Sequence, residues 1–328
     1  MTKRGIVIAR VDHDFGGISA PAEAKEIVAS FFDEKNNMCF FRAGVSLHAG
    51  VPTGYHLKEA IRHLTNSGSS SWKDLSTALR NNQAAFQKFR RWFLRVTDVD
   101  ITSATRPLFA HEWILKRWVA GNFSTVVTTN WDFLLERAWP TVLHETRPSE
   151  DLFVCSSAVD LDYAKKMARK YTLYKIHGNP LYYTCPQCRG ATRFKYIDPT
   201  IDAGRPLLCS IHRAQLRDPA MILPTEEVDS AERQVWEHIR TMARGARRIF
   251  VIGYSGSDDY IRADLMKPNK QKLYVVKPVS GEDPIEELVS EERLIDMTAW
   301  SFFFFLGIIE SDAQERVQYG DGKKWWQE

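Results

Sequence analysis

What this chain has little of narrows it first. Five cysteines in 328 residues form no evident disulfide framework, which suits a reducing compartment. No stretch approaches the ~18 uninterrupted apolar residues of a membrane span, and residues 1–11 are too short and too polar for a signal peptide. A soluble, cytoplasmic protein without a membrane partner is expected. Charge of one sign is lacking as well. With 44 basic against 41 acidic side chains the net charge is +3, which gives no global drive toward nucleic acid, so nucleic acid is not expected as a direct ligand. The basic clusters at Lys88 to Arg95 and Arg244 to Arg248 read as solvated helix faces or helix C-termini. There is no internal repeat and no low-complexity segment, and 44% hydrophobic with 26% charged residues is ordinary globular composition. That length buries one large core plus a small satellite module.

What is there is a series of short β-rich apolar runs, each followed by turn chemistry or a helical stretch: 38–41, 125–129, 172–176, 248–252, 272–276 and 301–306. Such runs predict strands buried on both faces, hence a parallel sheet with helices on either side. Residues 55–122 show helical spacing without a strand signal, and Trp92, Phe93, Phe109, Trp113 and Trp118 read as a core stripe within it. Residues 67–71 read as a loop in that region. The expected fold is therefore α/β: a Rossmann-like parallel sheet from 1–54, 123–181 and 218–310, with a helical insertion at 55–122. A small module occupies 182–217 and a tail 311–328. A helical patch near 22–32 is placed to cover a sheet edge, and Trp325-Trp326 in the tail either anchors a subunit interface or packs back on its own chain.

The small module carries Cys185-Pro-Gln-Cys188, twenty intervening residues, then Cys209-Ser-Ile-His212. Two knuckles of two-residue spacing let each pair grip one side of a tetrahedral Zn²⁺. Three thiolates and a histidine make a closed, structural site, because catalytic zinc keeps a position open for water. The competing reading, three reduced cysteines and a surface histidine, leaves the paired spacing unexplained. Cys39 and Cys155 sit in apolar stretches and read as core thiols.

Four strands end in polar or small residues, and in open α/β sheets that edge binds ligands. The first runs into Arg42-Ala43-Gly44-Val45-Ser46, then Gly50-Val51-Pro52, a small-residue loop that lets backbone amides approach a pyrophosphate. It lacks the three spaced glycines of the usual dinucleotide fingerprint. The second ends in Thr128-Thr129-Asn130-Trp131-Asp132, where Asn130 is a site residue or a turn and Asp132 a site residue or a helix cap. The third delivers His177-Gly178, and a histidine opposite an Asn/Asp pair is an acid/base candidate. The fourth ends in Gly253-Tyr254-Ser255-Gly256-Ser257-Asp258. There the glycines allow close approach of an adenine or ribose, and Ser255 or Asp258 can bond its hydroxyls. That run departs from the Gly-x-Ser-x-Gly nucleophile elbow at Ser257, which argues against a serine hydrolase.

Taken in order, these motifs resemble the sirtuin family, and within it the divergent sirtuin-like proteins of bacterial antiphage defence. The Gly-Ala-Gly-x-Ser loop is matched by Arg42 to Ser46, Gly-Ile-Pro by Gly50 to Pro52, and Thr-Gln-Asn-Ile-Asp by Thr128 to Asp132. The His-Gly pair is matched by His177 and Gly178, the zinc ribbon by Cys185, Cys188, Cys209 and His212, and the adenosine loop by Gly253 to Asp258. The resemblance covers about residues 38–280. It implies NAD⁺ as substrate, with Ala43, Gly44 and Ser46 at the phosphates, Gly253 and Ser255 at the adenosine half, and Pro52, Thr129 and Asp258 as further cofactor-binding residues. It also implies Asn130 and Asp132 at the nicotinamide and its ribose, and His177 as general base, so that Asn130, Asp132 and His177 are the catalytic set.

Three departures from the family matter. Where deacylating sirtuins continue Gly-Ile-Pro into Asp-Phe-Arg, Thr53-Gly54-Tyr55 stands here, and Trp131 replaces the isoleucine. The first lowers the deacylase reading, and Trp131 points to the NAD⁺-hydrolysing defence branch, which releases nicotinamide and ADP-ribose and depletes NAD. The first loop glycine is Arg42, whose side chain either pairs with a pyrophosphate or fills the cofactor's path. The alternatives are therefore a catalytically silent nucleotide-binding subunit of a defence complex, or an NAD-dependent lysine deacylase. A homo-oligomer and a separately encoded ATPase partner are implied by the resemblance alone.

Overall fold

The computed structural model describes residues 33–46, 49, 51–52, 54–97, 108–146, 150–185, 187, 190–193, 208–209, 212–215, 217–221, 230–254, 258–277, 285–290, 293–299 and 302–303. Its first strand, β1 (Asn37–Phe41), is buried at every position. A helical turn α1 (Ala43–Ser46) follows, then four helices without a strand: α2 (Gly54–Thr65), α3 (Trp72–Arg80), α4 (Gln83–Thr97) and α5 (Phe109–Val119). The chain continues through β2 (Phe123–Thr128), α6 (Leu134–Thr146), β3 (Phe153–Cys155), α7 (Ala158–Lys166) and β4 (Thr172–Lys175). It then makes β5 (Gly178–Cys185), β6 (Gly190–Arg193) and β7 (Arg217–Met221). Last come α8 (Ser230–Gly245), β8 (Ile249–Ile252), the short α9 (Asp259–Ile261), β9 (Leu273–Lys277) and β10 (Leu294–Asp296).

Seven strands form one parallel sheet in the order β10-β9-β8-β1-β2-β4-β3. The two-residue period of a strand sorts its side chains between two cores. Cys39, Phe41, Val126, Phe250 and Ile252 join Ile114, Leu115, Trp118, Leu135 and Trp139 of α5 and α6 on one face. Met38, Phe40, Val127, Ile249 and Val251 join Leu161 of α7 and Val235, Trp236 and Ile239 of α8 on the other. A sheet covered on both faces needs strands apolar on both faces, which is why the runs read without alternation. Burial in this layer pushes the Cys39 thiol up from its ordinary pKa, as befits a core thiol.

From β1 the chain moves outward to β2 and the edge strand β3, returns to fill β4 between them, then crosses back to β8 on β1's other side. The reversal lies between the carboxyl ends of β1 and β8, where open α/β sheets leave a crevice. The small strands β6-β5-β7 make a separate antiparallel sheet. The strand expected at 301–306 is not borne out at the residues described: Phe302 and Phe303 are helical, and the amide of Phe302 donates to Thr298 O at 2.9 Å. A short apolar run suits a buried helical turn as well as a strand, and periodicity cannot separate them. The patch at 22–32 and the pair Trp325-Trp326 lie outside the described residues.

Helices α2, α3 and α4 build a third core that closes over the sheet edge, with Leu57, Ile61, Leu75, Leu79, Phe89 and Phe93 packed around Trp131. Trp131 meets Phe93 edge-on at 5.7 Å and Phe89 at 6.2 Å, and its Nε1 donates to His177 O at 2.9 Å. Arg90, also buried, reaches from α4 to Pro180 O at 3.0 Å. The insertion is thereby tied to the strand ends it covers. Trp131→Ala is expected to destabilise the protein by ~3–5 kcal/mol in urea unfolding. Trp131→Phe, which keeps most of the ring packing and loses one hydrogen bond, should cost much less. A Trp131→Ala protein within ~1 kcal/mol of the parent would show that this cluster does not seat the insertion.

Candidate active site at the carboxyl edge of the sheet

The loops after β1 and β8 touch backbone to backbone. The amide of Arg42 donates to Ile252 O at 3.1 Å and that of Gly253 to Val276 O at 3.1 Å, which carries both strands' ladders past their ends. A Cβ on Gly44 would lie 2.8 Å from the Gly253 Cα. Gly253 has φ +68°, and a Cβ there would lie 2.9 Å from the Gly44 Cα. Both positions therefore need glycine, one for space and the other for space and conformation. The helical turn described after β1 has only the four residues Ala43–Ser46.

Asn130 is held from behind. Its Nδ2 donates to Ser46 Oγ at 3.1 Å, and Ser46 Oγ lies 3.1 Å from His111 Nε2. All three residues are buried. The arrangement in which Asn130 donates to Ser46 and Ser46 donates to His111 Nε2 orients the Asn130 amide from an unrelated helix, α5. Asp132 serves the local backbone, since its Oδ1 accepts the amide of Leu134 at 3.1 Å where α6 begins. Its carbonyl accepts from buried Lys175 Nζ, which also bonds Glu136 Oε1 at 3.0 Å. Thr129 Oγ1 is buried with no hydrogen-bond partner among the described residues.

His177 follows β4 and is buried, with Nε2 2.8 Å from Tyr260 Oη of α9. The same nitrogen lies 3.9 Å from Asp258 Oδ1. Asp258, expected against a ligand hydroxyl, is instead fully buried and turned onto Arg42, with Oδ2 2.8 Å from Nη1. That pair is a close charge contact, but neither oxygen of Asp258 has an aligned hydrogen bond among the described residues. Tyr254 supports both partners. Its hydroxyl donates to Asp258 O and accepts the Asp258 amide, each at 3.1 Å, and its ring lies 5.2 Å below the Arg42 guanidinium carbon. Burial, then the Asp258 charge, holds the Tyr254 phenol above its ordinary pKa, so it stays a neutral donor.

These residues surround a cavity of about 480 Å³, within the size range of small-molecule sites. Ala43, Gly44, Pro52, Thr129, Asn130, Asp132, His177 and Gly253 line it, so eight of the residues named from sequence meet in one place. Arg42, Lys58, Trp72 and Phe93 line it too, the last three from the helical insertion. Ser46 stands behind Asn130 instead of in the wall. Ser255 lies outside the described residues. Sequence reasoning missed His111 and Tyr260, because a lone histidine or tyrosine on a helix carries no spacing signal. Chemically, the cavity offers an amide, a carboxylate, an imidazole and a guanidinium around a glycine-lined floor. Those groups can hold a polar leaving group, accept a proton and face an anion.

In the small module, Cys209 and His212 come together: Sγ is 3.9 Å from Nδ1 and accepts the His212 amide at 3.4 Å. Cys185 ends β5 opposite Gly190; its side chain and all of Cys188 lie outside what is described. Among the described residues no group of three or more His, Cys, Asp or Glu is placed to hold a metal ion.

No family model and no curated protein matches this chain. Solved structures do. A Sir2 homologue, a phenylalanine-to-alanine mutant in complex with ADP-ribose, is 16% identical with a TM-score of 0.55 over 92% of this chain and 99% of that one. A Sir2 homologue in complex with NAD is 16% identical, TM-score 0.54, over 89% and 94%. A structure addressing the mechanism and regulation of Sir2 enzymes is 17% identical, TM-score 0.55, over 90% and 98%. The likeness is one of fold: this chain folds as Sir2 structures do along most of its length.

Proposed function

We propose that this chain is a sirtuin-like, NAD⁺-consuming enzyme that hydrolyses the nicotinamide glycosidic bond to release nicotinamide and ADP-ribose. What supports the reading most is one convergence: Asn130, Asp132 and His177, from two strand ends, face a glycine-lined cavity at the point where strand order reverses. In the reaction the C1′–N bond breaks with its electron pair passing to the pyridinium nitrogen, which leaves neutral. Positive charge grows on the ribose, water adds to C1′, and one proton is released. Asn130, fixed through Ser46 and His111, would hold the nicotinamide amide or the attacking water. Asp132 would face the cationic ribose, and His177 would accept the proton. The Trp131 and Thr53-Gly54-Tyr55 departures favour hydrolysis over deacylation, and with it NAD depletion in antiphage defence.

Purified protein incubated with NAD⁺ alone should release nicotinamide and ADP-ribose in equal amounts. Release that appears only with an acyl-lysine peptide would replace this reading with the deacylase. One observation favours a second reading, a silent nucleotide-binding subunit: His177 Nε2 is already engaged by Tyr260. ADP-ribose binding without nicotinamide release would establish it.

Cys185, Cys188, Cys209 and His212 fit a structural zinc in donor type and spacing, and the Cys209-His212 turn is formed as such a site needs. Zinc there would staple the β5–β7 sheet. Elemental analysis should find about one zinc per chain, lost with much of the module's protease resistance in Cys209→Ser protein. Zinc-free parent protein with the same resistance would remove the staple. The homo-oligomer and the separately encoded ATPase belong to this proposal through the family resemblance, and light scattering of the purified chain tests the first.

A further inference from the structure

We infer that Arg42 is the specificity residue of this cavity, a fixed cation that selects ligands carrying a diphosphate. The inference deepens the nucleotide reading of the same site and rests on it. Arg42 lines the cavity where the glycine-lined floor begins, and its side chain is 12% exposed. Behind it the geometry is committed. Asp258, with a side chain 0% exposed, lies 2.8 Å from Nη1, and the Tyr254 ring supports the guanidinium at 5.2 Å. The Tyr254 hydroxyl in turn clamps the Asp258 backbone through both its amide and its carbonyl. A buried carboxylate with no aligned hydrogen bond from the described residues is costly. Here its position makes the guanidinium rigid instead of leaving a long side chain to be ordered by the ligand.

A guanidinium so held presents planar N–H groups matched to phosphate oxygens. Its neighbours set what it can accept. Gly44 and Gly253 line the same cavity, and because neither carries a side chain the two loops meet backbone to backbone beside it. Lys58 lines the same cavity from α2, whereas Asp132 is the lining carboxylate and bonds the start of α6. Asp258 acts only through Arg42 and is a positioning residue. Its second oxygen, 3.9 Å from His177 Nε2, places the same carboxylate between the anion site and the candidate base.

Calorimetric titration with ADP-ribose, ADP, inorganic pyrophosphate and adenosine tests this. Arg42→Gln should weaken ADP-ribose, ADP and pyrophosphate by ~10- to 100-fold and leave adenosine unchanged. Arg42→Lys, which keeps the charge without the planar fork and does not strand Asp258, should weaken the diphosphates less. If Arg42→Gln binds diphosphates as well as or better than the parent, the guanidinium fills the cavity instead of docking a ligand, and the inference falls. It falls too if the folded parent binds none of the three diphosphates at millimolar concentration. Should Arg42→Gln fail to fold, Arg42→Lys and the double variant Arg42→Gln/Asp258→Asn decide the matter. Positioning by Asp258 requires Arg42→Gln to cost less in an Asp258→Asn background than in the parent; an equal or larger cost rejects it. Arg42-dependent ADP-ribose binding without nicotinamide release would sink the hydrolase and leave this inference standing. Nicotinamide release with Arg42-independent binding would do the reverse.

Discussion

Asn130→Ala protein is expected to release nicotinamide from NAD⁺ at least ~100-fold more slowly than the parent, the scale seen when one preorganised polar group is removed from a reacting centre. Stability should fall by no more than ~1–2 kcal/mol, because the substitution removes one buried hydrogen bond to Ser46 and a few atoms. The separation of the two effects is the point of the test. Asn130 sits in the cavity wall, while Ser46 and His111 are buried behind it. Ser46→Ala should therefore reproduce part of the loss without touching the ligand, by freeing the Asn130 amide to rotate. Parent-like turnover in Asn130→Ala protein would remove the hydrolase mechanism. Lost turnover together with a collapsed urea midpoint would show instead that Asn130 is a structural residue of the β2 turn.

Gly44→Ala is expected to lose both binding and stability from a single added methyl. Its Cβ would stand 2.8 Å from the Gly253 Cα and 3.1 Å from the Gly253 oxygen, both backbone atoms that no rotamer change can move aside. Separating the two loops should cost ~1–3 kcal/mol and weaken ADP-ribose binding at least ~10-fold, because the loops form the cavity floor. Gly253→Ala adds a conformational penalty at φ +68° to a similar clash. Two controls separate these terms. Gly121 has φ +82° with nothing within 4 Å of where an added methyl would stand, and Gly68 has open space and no positive φ. Gly121→Ala should show the backbone penalty alone and Gly68→Ala neither. Gly44→Ala protein that melts and binds like Gly68→Ala would mean that the floor is not a close-packed contact.

Much of this arrangement was legible in the residues. The runs at β1, β2, β4, β8 and β9 were readable because strands buried on both faces are apolar throughout. The cavity residues were readable because ligand chemistry in such sheets gathers at strand ends, and the motifs follow the strands directly. What could not be read has equally physical causes. The three-residue strands β3 and β10 are too short for a periodic signal. Phe302 and Phe303 carry the same apolar character in a helical turn as in a strand. Asp258 has the side chain of a hydroxyl-binding residue, yet it turns inward because Arg42, far away in sequence, supplies a countercharge.

The sequence by itself determined the type of the longer sheet strands, the two-faced burial of the sheet and the placement of Asn130, Asp132, His177 and the loop glycines at strand ends. Those are local properties, set by side-chain period, β-propensity and turn chemistry within a few residues. Only the tertiary structure decided strand order, the contact of Gly44 with Gly253, the support of Asn130 through Ser46 by His111, and the pairing of Arg42 with Asp258. Each joins segments distant in sequence, and such contacts form only when the chain buries two apolar faces at once and brings separate strand ends to one edge.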